Sequence, residues 1–229
     1  MRMRTKMLAV WCMVFLVAGV VMATASVASA ITLNLSNLPG TSITFTGTGD
    51  KINFNPEIEP GHDFNISSQT PGVGSIGLQG NITGTFAIDT IIPVVADIYE
   101  TGNVTGLGTL TIIDKALAVF TATIDWKTIF TVWGSGGLNA EAAMNILPIS
   151  YSGSNPDLSA FFSAGGGKGV VTFQFGEKKL LSALTKDGAS NSTSYSASIS
   201  FVPAPATVLL LGTGLVGLVG LRYRRKRQG

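Results

Sequence analysis

Strict alternation of apolar and polar residues is the feature that most limits how this 229-residue chain can fold. Ile43 and Phe45 alternate with Thr44 and Thr46, and Ile52 and Phe54 with Asn53 and Asn55. Val171, Phe173 and Phe175 are separated by Thr172 and Gln174, and Tyr195, Ala197, Ile199 and Phe201 by serines throughout. The longest run sets Ala122, Ile124, Trp126, Phe130 and Val132 on one side. Thr121, Thr123, Asp125, Lys127 and Thr131 fall on the other, interrupted by Ile129. A period of two belongs to extended chain, whose successive side chains point to opposite faces. Each segment then has one apolar and one polar face, the pattern of antiparallel sheets with a wet side. Apolar sheet faces must cover one another, so the expectation is all-β, a single antiparallel β-sandwich or jelly-roll-like domain.

Turn chemistry subdivides that domain. Asp187-Gly188 is a two-residue hairpin signal, which places strands near 179–185 and 192–201. Gly80-Asn81-Ile82-Thr83-Gly84 recurs as Gly102-Asn103-Val104-Thr105-Gly106, each followed by an apolar stretch ending at Asp89 or Asp114. Two echoes imply two similar strand pairs and fall short of a solenoid, which needs at least three repeats. One short helix is expected, with Asn155 as its cap, Pro156 and Asp157 in its first turn, and Gly165 just past its end. No linker composition divides residues 31–201, which read as one domain.

Charge distinguishes the body from the ends. Eight of the 15 basic residues are terminal: Arg2, Arg4, Lys6, Arg222, Arg224, Arg225, Lys226 and Arg227. The 13 acidic residues all lie between Asp50 and Asp187, so the interior carries a net charge of −6. An acidic body lacks the electrostatic footprint of nucleic-acid binding. Residues 1–30 have the three parts of a secretory signal: basic Arg2, Arg4 and Lys6, apolar Met7 to Met22, and the small residues Ala28-Ser29-Ala30. Cleavage is expected after Ala30, with Ala28 as the other small residue read and Ala25 as the second-choice site; an uncleaved membrane anchor is the alternative. Cys12, the one cysteine of the chain, lies in the apolar part, so the mature protein has neither a disulfide nor a thiol nucleophile.

The C-terminal segment, residues 202–229, reads Val202-Pro203-Ala204-Pro205-Ala206-Thr207, then Val208 to Leu221 without a charge, then a basic cluster. About 14 uncharged residues make roughly 21 Å of helix, short of a bilayer of about 30 Å unless Ala206, Thr207 and snorkelling Arg222 extend the span to 206–222. Basic Arg222, Arg224, Arg225, Lys226 and Arg227 then stay cytoplasmic and the body faces outward. A proline-rich hinge, a leucine-glycine helix and an arginine cluster in this order resemble the PEP-CTERM sorting signal of Gram-negative bacteria. The resemblance implies an exported protein held at the inner membrane until an exosortase, a cysteine transpeptidase-like membrane enzyme, processes the tail. It covers about residues 202–227. Pro203, Pro205, Ala206 and Thr207 fit the family's motif, whereas Ala204 stands where the family has glutamate. A plain C-terminal anchor is the alternative.

Chemical motifs are sparse. Gly72-Val73-Gly74-Ser75-Ile76-Gly77 spells a dinucleotide-binding pattern, but Pro71 precedes it and no helix is expected after it. Gly165-Gly166-Gly167-Lys168-Gly169 lacks the first glycine and the Ser/Thr of a phosphate loop and reads as a connection. Leu38-Pro39-Gly40-Thr41-Ser42 reads as a turn. Glu57, Glu59, His62 and Asp63 form the one cluster of titratable groups, which would serve a cation or a glycosidase only if they converge. A solvated acidic loop is the plainer reading. Thr44/Thr46, Thr109/Thr111 and Thr121/Thr123 recur without the fixed period of an ice-binding face.

With one histidine, no mature cysteine and no Gly-x-Ser-x-Gly elbow, nucleophilic hydrolases have little to build on. The expectation is a non-enzymatic surface or matrix protein without cofactor or metal, with an exosortase, the inner membrane and an exopolysaccharide as partners. The resemblance carries the biofilm and exopolysaccharide association. A carbohydrate-binding module is the alternative, with Trp133 and Tyr151 as the rings that would stack on sugars.

Overall fold

The computed structural model describes residues 30–55, 62–133 and 140–201. In chain order the elements are β1 (Ile31–Asn37), β2 (Ser42–Thr46), β3 (Lys51–Asn55), β4 (Phe64–Thr70), β5 (Gln79–Val95), β6 (Tyr99–Thr105), β7 (Leu107–Ile113), β8 (Val119–Val132) and β9 (Ala140–Ser150). Then follow α1 (Pro156–Ala164), β10 (Gly167–Phe173), α2 (Leu181–Leu184), β11 (Ser190–Thr193) and β12 (Tyr195–Phe201). Every strand pair is antiparallel. The all-β expectation holds.

Hydrogen-bonded neighbours run β4-β1-β12-β10-β9-β8-β7-β5, and Phe64↔Gly80 and Asn65↔Gln79 join β4 back to β5. The apolar faces therefore cover one another within a sheet that returns on itself. Beyond Gly84, β5 changes partners: Thr85–Ala87 pair with β3, which continues to β2 and β11, and Ala87–Val95 pair with β6. The change occurs where backbones touch. Gly84 has φ +149°, and a Cβ there would lie 2.8 Å from the Cα of Gly108, so only glycine serves. Gly106, the last glycine of the echoed motif, has φ +115° and separates β6 from β7. The echo thus marks two bend points in adjacent strands.

One core fills the interior, and aromatic rings are its largest fully buried side chains. Phe86 meets Trp126 edge-on at 5.0 Å, Trp126 stacks on Phe173 at 5.8 Å, and Phe173 meets Phe45 edge-on at 5.4 Å. At the other end Phe161 of α1 stacks between Phe120 at 5.0 Å and Phe201 at 4.3 Å. Each buried large side chain stabilises by about 1.5–3 kcal/mol, and each ring pair adds about 0.5–1.5 kcal/mol.

Helix α1 forms as expected. The Asn155 side chain accepts from the backbone N–H of Asp157 and Leu158, Pro156 opens the first turn, and Gly165 closes the helix at φ +72°. Leu38–Ser42 holds a turn as expected, with Thr41 N–H donating to Leu38 O at 3.1 Å.

Two expectations fail for identifiable reasons. Residues 179–185 do not form a strand: Leu181–Leu184 is a short helix with Leu181 and Leu184 buried. Its free N–H groups have partners elsewhere, since Leu181 N–H donates to Thr131 Oγ1 and Ser182 N–H to the Glu100 carboxylate. Gly188 does turn the chain, but into β11, which pairs with β2. In β8 the register shifts between Trp126 and Thr128. The alternation changes phase there, so Ile129 and Thr131 are buried, while Phe130 is half-buried and Val132 exposed. The interruption at Ile129 was the sign of that bulge.

Candidate functional site

A groove of about 560 Å³ lies on the outer face of the sheet. Its floor is a row of facing residues on four neighbouring strands: Asp125 of β8, Asn145 of β9, Lys168 of β10 and Ser200 of β12. Leu147 and the backbone of Gly166 and Gly167 border it. The strands stand about 4.8 Å apart, so the row offers a carboxylate, an amide, an ammonium and a hydroxyl at regular intervals. Lys127 Nζ lies 2.6 Å from Asp125 Oδ2, a solvent-accessible pair of an exposed lysine and a half-buried aspartate that lowers the local negative charge at little gain in stability. Ser200 shares a hydrogen bond of 2.8 Å with Thr32, extending the row onto β1. Chemically, the groove offers mostly apolar surface, edged by these four polar groups.

The second polar constellation is structural. Tyr151 donates its hydroxyl to Asp114 Oδ2 at 2.7 Å and accepts from Asn155 N–H at 2.8 Å. Asp114 Oδ1 accepts from the N–H of Ala116 and Ala118, closing the β7–β8 turn. The Tyr151 hydrogen bond holds the Asp114 carboxyl below the usual carboxylate range, against the opposing effect of burial and with help from these N–H groups. Burial first, then the bond to Asp114, pushes the Tyr151 phenol up to about 12. Tyr151 therefore ties the β7–β8 turn to the cap of α1 and is not a free ring for stacking. Trp133 is 53% exposed, and Trp126 is fully buried.

The acidic cluster divides. Glu57 and Glu59 lie outside the described residues. His62 is half-buried and Asp63 buried. Asp63 Oδ2 accepts from Ile82 N–H at 3.3 Å, which binds β4 to β5. Burial, and secondarily the Asp63 charge, push the Tyr195 phenol well above its ordinary value. Among the described residues no group of three His, Cys, Asp or Glu side chains could hold a metal ion.

The glycine patterns are packing devices. Gly72–Gly77 forms turns that dock on the start of α1: Asn155 Nδ2 donates to Gly74 O at 3.1 Å, and Ser75 Oγ to Asp157 Oδ2 at 3.2 Å. Gly165 caps α1, and Gly167, Lys168 and Gly169 already belong to β10. Thr109 and Thr111 face Thr123 and Thr121 across β7 and β8, a pairing without regular repetition on the other strands.

Asp125, Asn145, Lys168 and Ser200 are joined by topology alone, so no motif in the sequence announced the groove. Ala30 is the first described residue and is exposed, and β1 begins directly at Ile31. Ala28, the motif Val202–Thr207, the span 206–222 and the basic residues Arg222–Arg227 lie outside the described residues. Among the described residues no helix is long and apolar enough to cross a membrane.

Neither a curated protein nor a solved structure matches this chain. A family model, the PEP-CTERM protein-sorting motif, matches residues 201–226. That match begins at Phe201, the last residue of β12, so the signal starts where the β domain ends. The chain carries a PEP-CTERM sorting motif, the mark of an exported protein that an exosortase sorts after transient membrane anchoring.

Proposed function

We propose that the β domain is a non-catalytic component of the extracellular matrix, delivered by its sorting tail and associated there with exopolysaccharide. The observation that carries this reading is the junction itself: a sorting motif directly follows a β domain whose interior is packed with aromatic rings. The buried and half-buried polar groups named above hold elements together: Asp114 and Tyr151 fix a turn and a helix cap, and Glu100 and Thr131 hold α2. Deleting the gene should alter matrix retention while adding no hydrolytic activity to be lost. An unchanged matrix, or a polysaccharide-cleaving activity of the purified protein, would contradict the proposal.

A second reading, a carbohydrate-binding module, is favoured by the outer groove. Asp125, Asn145, Lys168 and Ser200 would bond sugar hydroxyls while Leu147 covers a CH-bearing face. Co-sedimentation with the host's own exopolysaccharide tests it. Asn145→Ala with Lys168→Ala should weaken binding at least about tenfold, or about 1.4 kcal/mol, and unaltered binding would remove the groove from consideration.

A further inference from the structure

Both termini of the β domain and three of its connections lie at one end. Neighbouring strands are antiparallel, so the end of β12 lies beside the start of β10 and the end of β9, and the end of β9 beside the start of β8. The same alternation continues to the end of β7, the start of β5 and the end of β4. Ile31 pairs with Phe201, so β1 begins where β12 stops. Residues 71–78, 114–118 and 151–166 therefore close this end. Hydrogen bonds fasten the three connections to one another: Tyr151 bonds Asp114, and Asn155 bonds Gly74. Their tips are thus fixed around the start of α1.

The tips are apolar. Leu117 is 80% exposed and Val73 74%, and Ile76, Val119, Ile149 and Phe162 are exposed at the same end. Leu117 also has φ +63°, a left-handed position that Gly or Asn normally fills, so turn geometry does not require leucine there. The charged residues of the three connections are Asp114, Lys115 and Asp157. Asp114 is buried, the half-buried Asp157 accepts from Ser75 Oγ at 3.2 Å, and Lys115 is exposed. At the other end, the connection from β10 to β12 carries Glu177, Lys178, Lys179, Lys186 and Asp187. An acidic body thus presents no exposed carboxylate on the three connections beside its termini.

Apolar tips around a single exposed cation suit the interface of a bilayer, where apolar side chains enter the acyl boundary and a lysine reaches phosphate. Chain connectivity decides which surface is near. Four residues separate Phe201 from the span expected at 206–222, a reach of at most about 18 Å when fully extended. We propose that this end of the β domain rests on the outer surface of the inner membrane while the tail anchors the chain. Val73 and Leu117 enter the lipid, and Lys115 meets headgroup phosphate. The inference rests on the reading of residues 206–222 as the anchor. So short a tether keeps lipid at high effective concentration beside this end, which favours it over a soluble partner. A few apolar side chains bind a bilayer weakly and reversibly, so the domain departs once the tail is cut.

Depth measurements test this on the full mature chain, reconstituted in vesicles of phosphatidylethanolamine and phosphatidylglycerol. The chain cut after Ala30 has no cysteine, so Val73→Cys, Leu117→Cys and the control Leu107→Cys each accept one environment-sensitive fluorophore. Leu107 is 66% exposed and starts β7, whose far end leads to Leu117. Nitroxide lipids labelled about 5–10 Å below the surface should quench the probes at 73 and 117 several-fold more than the probe at 107. The first two probes should also shift to the blue. Val73→Asp should lower quenching of the probe at 117 several-fold while the circular dichroism stays unchanged. A chain that survives an alkaline wash of the vesicles but leaves the probes at 73 and 117 in water would overturn the proposal and spare the anchor. Equal quenching at 73, 117 and 107 would overturn it too, since no end would then be preferred. A chain that washes off would overturn the anchor and the proposal together.

Discussion

Replacing Tyr151 by Phe removes one oxygen and disturbs three elements. The hydroxyl gives Asp114 its 2.7 Å hydrogen bond and receives the Asn155 N–H at 2.8 Å. The ring itself packs near Phe120 at 6.0 Å, and Phe preserves that contact. What is lost is a hydrogen bond to a charged group, worth about 1.5–3 kcal/mol, and the partner of a backbone N–H beside the helix cap. Water reaches part of this site, so about 2 kcal/mol is the expected cost. For a domain of this size that lowers Tm by about 4–8 °C. Asp114 titrates below the ordinary carboxylate value when folded, so its ionised form adds stability above the unfolded pKa, and that stability disappears as pH falls through the lowered folded value. The difference between the wild type and Tyr151→Phe should therefore be largest near neutral pH and shrink below about pH 4. Thermal melts of both proteins across that range are the assay. An unchanged Tm at pH 7, or a difference that grows on acidification, would refute the reasoning.

Other sites give sharper yes-or-no outcomes. Asn155→Ala removes both the cap of α1 and the bond to Gly74 O, and chemical denaturation should show a loss of about 1–2 kcal/mol. Gly108→Ala would put a Cβ 2.6 Å from both Phe86 Cζ and Thr83 O, so a loss of about 2 kcal/mol or more is expected, with a normal melt arguing against the close approach. Trp126 and Trp133 differ in exposure, so in the mature protein Trp133→Phe should remove the acrylamide-quenchable part of the tryptophan emission and leave the buried, blue-shifted part. At high pH the raised Tyr151 phenol contributes stability that is complete below about pH 10 and lost as pH rises through about 12, and Tyr151→Phe should flatten that part of the curve.

Alternation revealed the strands because burial on one face writes itself into every second residue. β12 is the plainest case, with Tyr195, Ala197, Ile199 and Phe201 buried between serines. The α1 cap was legible because Asn155, Pro156 and Gly165 act through their own backbone geometry. Failures came where distant partners decide. Residues 181–184 become helical because Thr131 and Glu100, some 50 and 82 residues earlier, take up their N–H groups. The β8 bulge altered which aromatics face outward, and only the pairing with β6 and β9 settles that phase. The groove was illegible for the same reason, since Asp125, Asn145, Lys168 and Ser200 meet only through register. Trp133 and Tyr151 look alike in sequence as rings that could stack, yet exposure and hydrogen bonding give them opposite roles.

The sorting motif at residues 201–226 ties the whole account together, and its processing is directly measurable. Pro203 and Pro205 stand in the motif, and cleavage is expected there. Intact-mass measurement of the released and envelope fractions, with and without the exosortase, reads the C-terminus of the protein. The account predicts that the released form ends near Pro203–Pro205 in wild-type cells and that a longer, membrane-bound form accumulates without the enzyme. Ala204→Glu should process at least as well as Ala204. A full-length tail in both strains and in Ala204→Glu would contradict sorting and leave a plain anchor.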